Sequence, residues 1–225
     1  MDTPAHLTAG QGRCRVAASV SLKAAPSAVH LGAGDMALMG CLNALHHVNR
    51  HAPVDDFLAA ALPGLHKTHA GLMPGHELVV FGSPERIDML IGTEGVGRLV
   101  KRGALLQPEA STLDDVNGEG GMAFVRDRRE ERKTPGARAR QARRAARRAT
   151  HISETAGKHG RAGPARKADF TGLITLHYGD TPLFVRAVAG ICASEIQVST
   201  YGFSTAGEIA ALPLSLDGMM SADAA

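Results

Sequence analysis

Between Ala137 and Arg148 the chain reads ARARQARRAARR, six arginines in twelve residues with no acid among them. A guanidinium stays charged at any physiological pH, and its planar fork of donors matches phosphate oxygens two at a time. On a helix of 3.6 residues per turn, Arg140, Arg143, Arg144, Arg147 and Arg148 fall on one face. Ala139, Ala142, Ala145, Ala146 and Ala149 largely fill the other. The arginine face cannot enter a core, because every charge there would need a partner. Along about 20 Å of helix it offers a row of cations to a row of phosphates. Solvated surface helices usually mix both signs of charge, and an interfacial membrane helix needs large apolar residues opposite its basic face. This one has only alanine. The pattern predicts a nucleic acid gripped mainly by its backbone.

The second group of reactive side chains is imidazole. LNALHHVNRH (Leu42–His51) carries His46, His47 and His51. His47 and His51 have the i, i+4 spacing of half a metal site. No HExxH glutamate accompanies them and no third ligand is evident, so no metal or other cofactor is expected. His46 is offset from His47 by about 100° of helix. A neutral imidazole is the usual general base near pH 7, although a single helical histidine is more often structural. His66 and His69 sit in a Gly/Pro-rich stretch and read as solvated. The three cysteines, Cys14, Cys41 and Cys192, form no CxxC pair and read as small buried hydrophobes of a cytoplasmic protein.

Charge is unevenly spread. Arg126–Lys167 holds 15 Lys+Arg against 4 Asp+Glu, while the remainder holds 10 against 18. A net charge of +3 therefore conceals one strongly basic fifth of an otherwise acidic chain, which predicts a localised polyanion site. No run of 18 apolar residues exists, and the first residues lack a secretory pattern, so neither a membrane nor export is expected.

The elements that would position these groups are legible in outline. Cys14–Lys23 alternates as a strand, and a helix capped by Asp35 is expected from Met36 to about Asn49. Glu77–Phe81 reads as a strand. Ser83-Pro84-Glu85 starts a helix running towards Leu99, with a break near Gly95 or Gly97. Leu105 and Leu106 begin another strand. This order suggests an α+β chain with a ferredoxin-like (RRM-like) N-terminal domain over residues 1–110. The polar stretch Ser111–Gly121 marks a boundary. Residues 111–225 then form a second domain: an extended Met122–Arg126, the arginine helix opened by Pro135, a basic loop over 150–168, and short antiparallel strands at Phe170–Tyr178, Pro182–Val188 and Glu195–Tyr201. Aromatic residues make up only 4%, too few for base-stacking platforms, so a folded nucleic acid read by shape is expected.

Taken in order, five stretches resemble the CRISPR-associated endoribonucleases that cut precursor CRISPR RNA, closest to the repeat-hairpin-binding type I-F kind; a type IV counterpart would look alike. They are LNALHHVNRH (Leu42–His51), ALPGLHKTHAGLMPGHELVVFG (Ala61–Gly82), FVRDRREERKTP with the arginine helix after it (Phe124–Arg148), FTGLITLHYGDTPLFVR (Phe170–Arg186) and STYGFSTAG (Ser199–Gly207). The similarity covers most of residues 14–207.

The resemblance implies a metal-independent cut just downstream of a stem-loop. The 2′-OH attacks the adjacent phosphate and leaves a 2′,3′-cyclic phosphate. His46 matches the family's catalytic histidine and Tyr201 its active-site tyrosine. Thr175 stands where a serine usually holds the ribose, and His177 stands at a second family serine. Arg128 matches an arginine that reads a guanine edge, while Glu130 replaces the family's glutamine. Arg126, Arg129, Arg138 and the helix arginines complete the expected RNA contacts. The implied partners are a CRISPR repeat hairpin and the other subunits of a crRNA-guided surveillance complex. Two rival classes share the helix: a non-catalytic structured-RNA-binding protein, in which His46 and Tyr201 lie far apart, and a DNA-binding regulator.

Overall fold

Val16 and Ala17 divide the strand expected over Cys14–Lys23 into two, β1 (Gln11–Arg15) and β2 (Ala18–Lys23). The backbone N–H of Val16 donates to Ser194 O at 2.8 Å, and that of Ala17 to Gly82 O at 3.3 Å, so adjacent residues serve different sheets. The computed structural model describes residues 10–68, 71–128, 135–149, 173–178, 181–205 and 209–214. The chain is mixed α+β.

A short helix, α1 (Pro26–His30), leads into α2 (Gly34–Arg50). Ala33 rather than Asp35 occupies the position before α2; Asp35 lies in the first turn, 3.4 Å from His76 Nδ1. Leu38, Cys41, Leu42, Leu45 and Val48 recur at helical spacing and are buried. A leucine buried in this way contributes about 2 kcal/mol.

Next come β3 (Ala59–Ala61), β4 (His66–Thr68), β5 (Gly71–Met73) and β6 (Glu77–Gly82). The stretch read as a solvated loop thus contains a hairpin; His66 is exposed, and His69 lies outside the described residues. Beyond β6, Pro84 occupies the first turn of α3 (Pro84–Ile91). Ser83 does not cap that helix, because its hydroxyl donates to Asp56 Oδ1 at 2.9 Å. The expected break near Gly95 or Gly97 falls earlier. Thr93 caps α4 (Glu94–Lys101) by accepting from Val96 N, and Gly95 sits inside that helix. Leu105 makes only an isolated bridge to Ala24, and the strand expected there comes later as β7 (Ala110–Thr112).

The remaining elements are β8 (Gly120–Arg126), α5 (Pro135–Ala149), β9 (Leu173–Tyr178), β10 (Thr181–Ile191) and β11 (Glu195–Ser199). One antiparallel sheet has the order β3-β6-β2-β7. A second has the order β4-β5-β9-β10-β8, in which only β5 and β9 run parallel, meeting at Leu72 and Ile174. β1 pairs with β11. The larger of two buried clusters runs from Val20, Leu45 and Phe81 to Phe124, Ile174 and Phe203, so it crosses the boundary expected near residue 111. All three cysteines are buried thiols. Burial pushes Cys14 and Cys41 up to about 12, which keeps them protonated and unreactive. Among the described residues no helix is long and apolar enough to cross a membrane.

Candidate active site

His46 sits at the border of the buried face of α2, between buried Leu45 and exposed His47. Its ring stacks on that of Tyr201, with centroids 4.1 Å apart and planes 7° from parallel. Such a pair contributes about 1 kcal/mol beyond its area and fixes both rings. Arg126, the last residue of β8, places its guanidinium carbon 4.8 Å from the Tyr201 ring centroid. The two distances to one phenol set an upper bound of about 9 Å between the imidazole centroid and the guanidinium carbon.

Tyr201 owes its position to the turn after β11. Gly202 has φ +78°, a conformation L side chains rarely adopt. A Cβ there would lie 2.9 Å from the Cβ and N of Ala60. Gly202 N donates to Ser199 O at 2.8 Å, and Gly202 O accepts from Ala60 N at 2.9 Å, docking the turn on β3. Past the turn, Ser204 O accepts from Arg126 N at 3.1 Å, which brings Arg126 beside Tyr201. The Tyr-Gly-Phe-Ser sequence therefore codes a turn anchored on both sheets.

His46 Nδ1 lies 3.3 Å from Thr200 O. A carbonyl only accepts, so this contact is a hydrogen bond in the neutral tautomer that carries its proton on Nδ1 and its lone pair on Nε2. Burial pushes the imidazole below the ordinary histidine value of 6.5; the Thr200 bond opposes this, and the positive charges of Arg50, Arg126 and a protonated His47 add to it. In the free protein, the His46 ring protons should titrate below pH 6.5, leaving a neutral base throughout the neutral range. Proton NMR checks this, and a midpoint at or above 6.5 contradicts it.

Thr175 does not join the group. Arg126 is level with Val185, and Val185 with Ile174, whereas Thr175 pairs with Phe184. Side chains alternate along strands, so Thr175 projects from the sheet face opposite Arg126. It lines a separate cavity of about 430 Å³ with Asp35, Met36, Met39, Leu72 and Met73. The alternation thus sets Thr175, expected to hold the ribose, on the other strand face from Arg126. His177 lies on β9 opposite Pro182; its side chain is outside the described residues.

Of the expected RNA contacts, Arg128, Arg138, Arg140, Arg143 and Arg144 are exposed. Ala139 and Ala142 are exposed as well, so this part of α5 has solvent on both faces. Arg147 and Arg148 continue the helix, with side chains outside the described residues; Arg129, Glu130 and the basic loop 150–168 also lie outside them. Asp127 binds Arg186 Nε at 2.6 Å, tying the end of β8 to β10.

Two contributors escaped the sequence reading. Arg126, expected only among the RNA contacts, adjoins the imidazole–phenol stack. Asn49 is buried one turn beyond His46, and its side-chain amide donates to Thr200 O at 3.3 Å. The available signal was a polar residue interrupting the apolar stripe of α2. His47 and His51 approach to 4.8 Å between ring centroids. Among the described residues no three His, Cys, Asp or Glu side chains converge as a metal site. Comparison of the chain with protein-family models returns no matching model, and comparison with curated proteins returns no match.

Proposed function

We propose that this protein is a metal-independent endoribonuclease of the cytoplasm that binds the hairpin of a CRISPR repeat, cuts precursor CRISPR RNA beside it, and keeps its product as a subunit of a crRNA-guided antiviral complex. The observation that carries the reading is the stack of His46 on Tyr201 beside Arg126. These residues are far apart in sequence, and a protein that only held RNA would not need them together. The ferredoxin-like reading of the N-terminal half is supported by the all-antiparallel order β3-β6-β2-β7, with α2 between β2 and β3 and with α3 and α4 between β6 and β7.

In the proposed step the 2′-oxygen attacks phosphorus while its proton passes to Nε2 of His46. The bond from phosphorus to the 5′-oxygen breaks, and the leaving oxygen takes a proton from water. The products are a 2′,3′-cyclic phosphate and a 5′-hydroxyl. Arg126 supplies positive charge where the phosphorane becomes more negative. Tyr201 holds the imidazole plane so that the attack stays in line. The exposed arginines of α5 hold the stem.

A repeat hairpin carrying deoxyribose at the cut site tests the chemistry. It should bind within about twofold of the all-ribose hairpin and remain intact, because only one of the many contacts along the backbone changes. Cutting of the deoxy substrate refutes the 2′-OH mechanism. An all-ribose hairpin that binds and is never cut supports the non-catalytic RNA-binding class instead.

A further inference from the structure

Asn49 is 1% exposed and lies on α2 three residues after His46. Its amide faces the backbone of Leu58 as a neighbouring strand would. Nδ2 donates to Leu58 O at 2.9 Å, and Oδ1 accepts from Leu58 N at 2.8 Å. This pairing fixes which end of the amide is which, since the reverse orientation would set donor against donor and acceptor against acceptor. The second amide hydrogen goes to Thr200 O, 3.3 Å away. The same carbonyl oxygen is the partner of His46 Nδ1. An sp² oxygen has two lone pairs, so both donors are accommodated.

We infer that Asn49 is a positioning residue: by holding the Thr200 carbonyl in place, it keeps His46 in the Nδ1–H tautomer and leaves Nε2 as the basic nitrogen. The tautomer is a property of the protein alone, while its catalytic consequence rests on the proposed nuclease reading.

Three features support a dedicated role. A buried polar side chain on an apolar helix face is costly unless satisfied, and this one makes three bonds. Two of them would suffice to tie α2 to the chain before β3; the third reaches the turn that carries Tyr201. That turn is already fixed on its far side by Ala60 N and Gly202 O, so Asn49 and Ala60 grip the Thr200–Gly202 segment from two elements. Groups facing His46 include the Tyr201 ring, the Thr200 carbonyl and the side chains of Arg50, Arg126 and His47. Among these described groups, Thr200 O is a neutral acceptor at Nδ1 that asks for a proton there.

The test reads the ring nitrogens of His46 by long-range proton–nitrogen NMR on labelled, RNA-free protein at pH 8. The unsubstituted protein should show Nδ1 protonated and Nε2 unprotonated. A dominant Nε2–H form overturns the inference without any variant. In Asn49→Ala, verified as folded by its dispersed spectrum, the population should move towards Nε2–H. Cleavage of the repeat hairpin should slow by at least about tenfold with unchanged affinity, since an imidazole in the wrong tautomer is a poor base. A folded Asn49→Ala protein that keeps the Nδ1–H form shows that Asn49 is only structural and overturns the inference. If the unsubstituted protein cuts no RNA, the nuclease reading fails, and the nitrogen spectra still decide the role of Asn49.

Discussion

Substituting His46 with alanine is expected to slow single-turnover cleavage of the cognate hairpin by about 10²–10⁴-fold, the range a general base contributes, while hairpin affinity changes by less than about threefold. The split follows from the layout. The imidazole lies on α2, half-buried against Tyr201, whereas the exposed arginines proposed to grip phosphates lie on β8's exit and α5. Removing the ring deletes the proton acceptor and one face of the stack without touching those cations. Loss of the stack costs about 1 kcal/mol, a small part of a domain's stability, so the variant should stay folded. His46→Gln, which restores bulk and a donor to Thr200 O but no titratable nitrogen, should be equally slow. Cleavage at the unsubstituted rate in either variant removes His46 from the mechanism. Loss of binding together with cleavage assigns it a structural role.

The second large effect concerns affinity and should leave chemistry at saturation intact. Replacing Arg140, Arg143 and Arg144 together with alanine should weaken hairpin binding by on the order of 10²-fold or more at low salt, and should flatten the log–log dependence of affinity on salt by about 2 to 3. Alanine is the best helix former, so α5 persists and the change reports charge alone. All three side chains are exposed, which leaves little folding stability to lose. Titrations of labelled hairpin from about 50 to 200 mM salt, the interval over which backbone-dominated complexes weaken most visibly, provide the measurement. An unchanged slope means that α5 does not hold the RNA. Duplex DNA bound more tightly than the hairpin would favour a regulator of DNA instead.

How much of this was legible differs by element. The stripe of α2 and the short apolar run of β6 are local patterns, and the structure places both helix and strand within two residues of the expected ends. The arginine face also follows from spacing alone. Register and pairing partners are not local. Nothing in residues 11–23 announces that β1 belongs with β11 and β2 with β6, because both halves alternate equally well. The glycines of α4 suggested a break; the cap at Thr93 set it earlier, and Gly95 sits inside the helix, where an added Cβ would make only an ordinary 3.6 Å contact with Ala44. Thr175 occupied the expected position in the sequence order, but its parity puts it on the strand face opposite Arg126, which only the register shows. Arg126 was indistinguishable by composition from its basic neighbours, and only the pairing of its backbone with Ser204 places it beside Tyr201. Asn49 looked like an interruption of an apolar face, because its three partners come from backbone groups that no side-chain pattern reveals.

Pairing of β1 with β11, together with the Thr200 bond that spans 154 residues to His46, bears on synthesis. A ribosome releases α2 and its imidazole well before the phenol that must stack on it has been translated. Contacts so distant along the chain close late and slowly. On the proposed nuclease reading, a growing polypeptide would expose its arginine helix to RNA while still lacking a completed base, so that capture would precede any ability to cut.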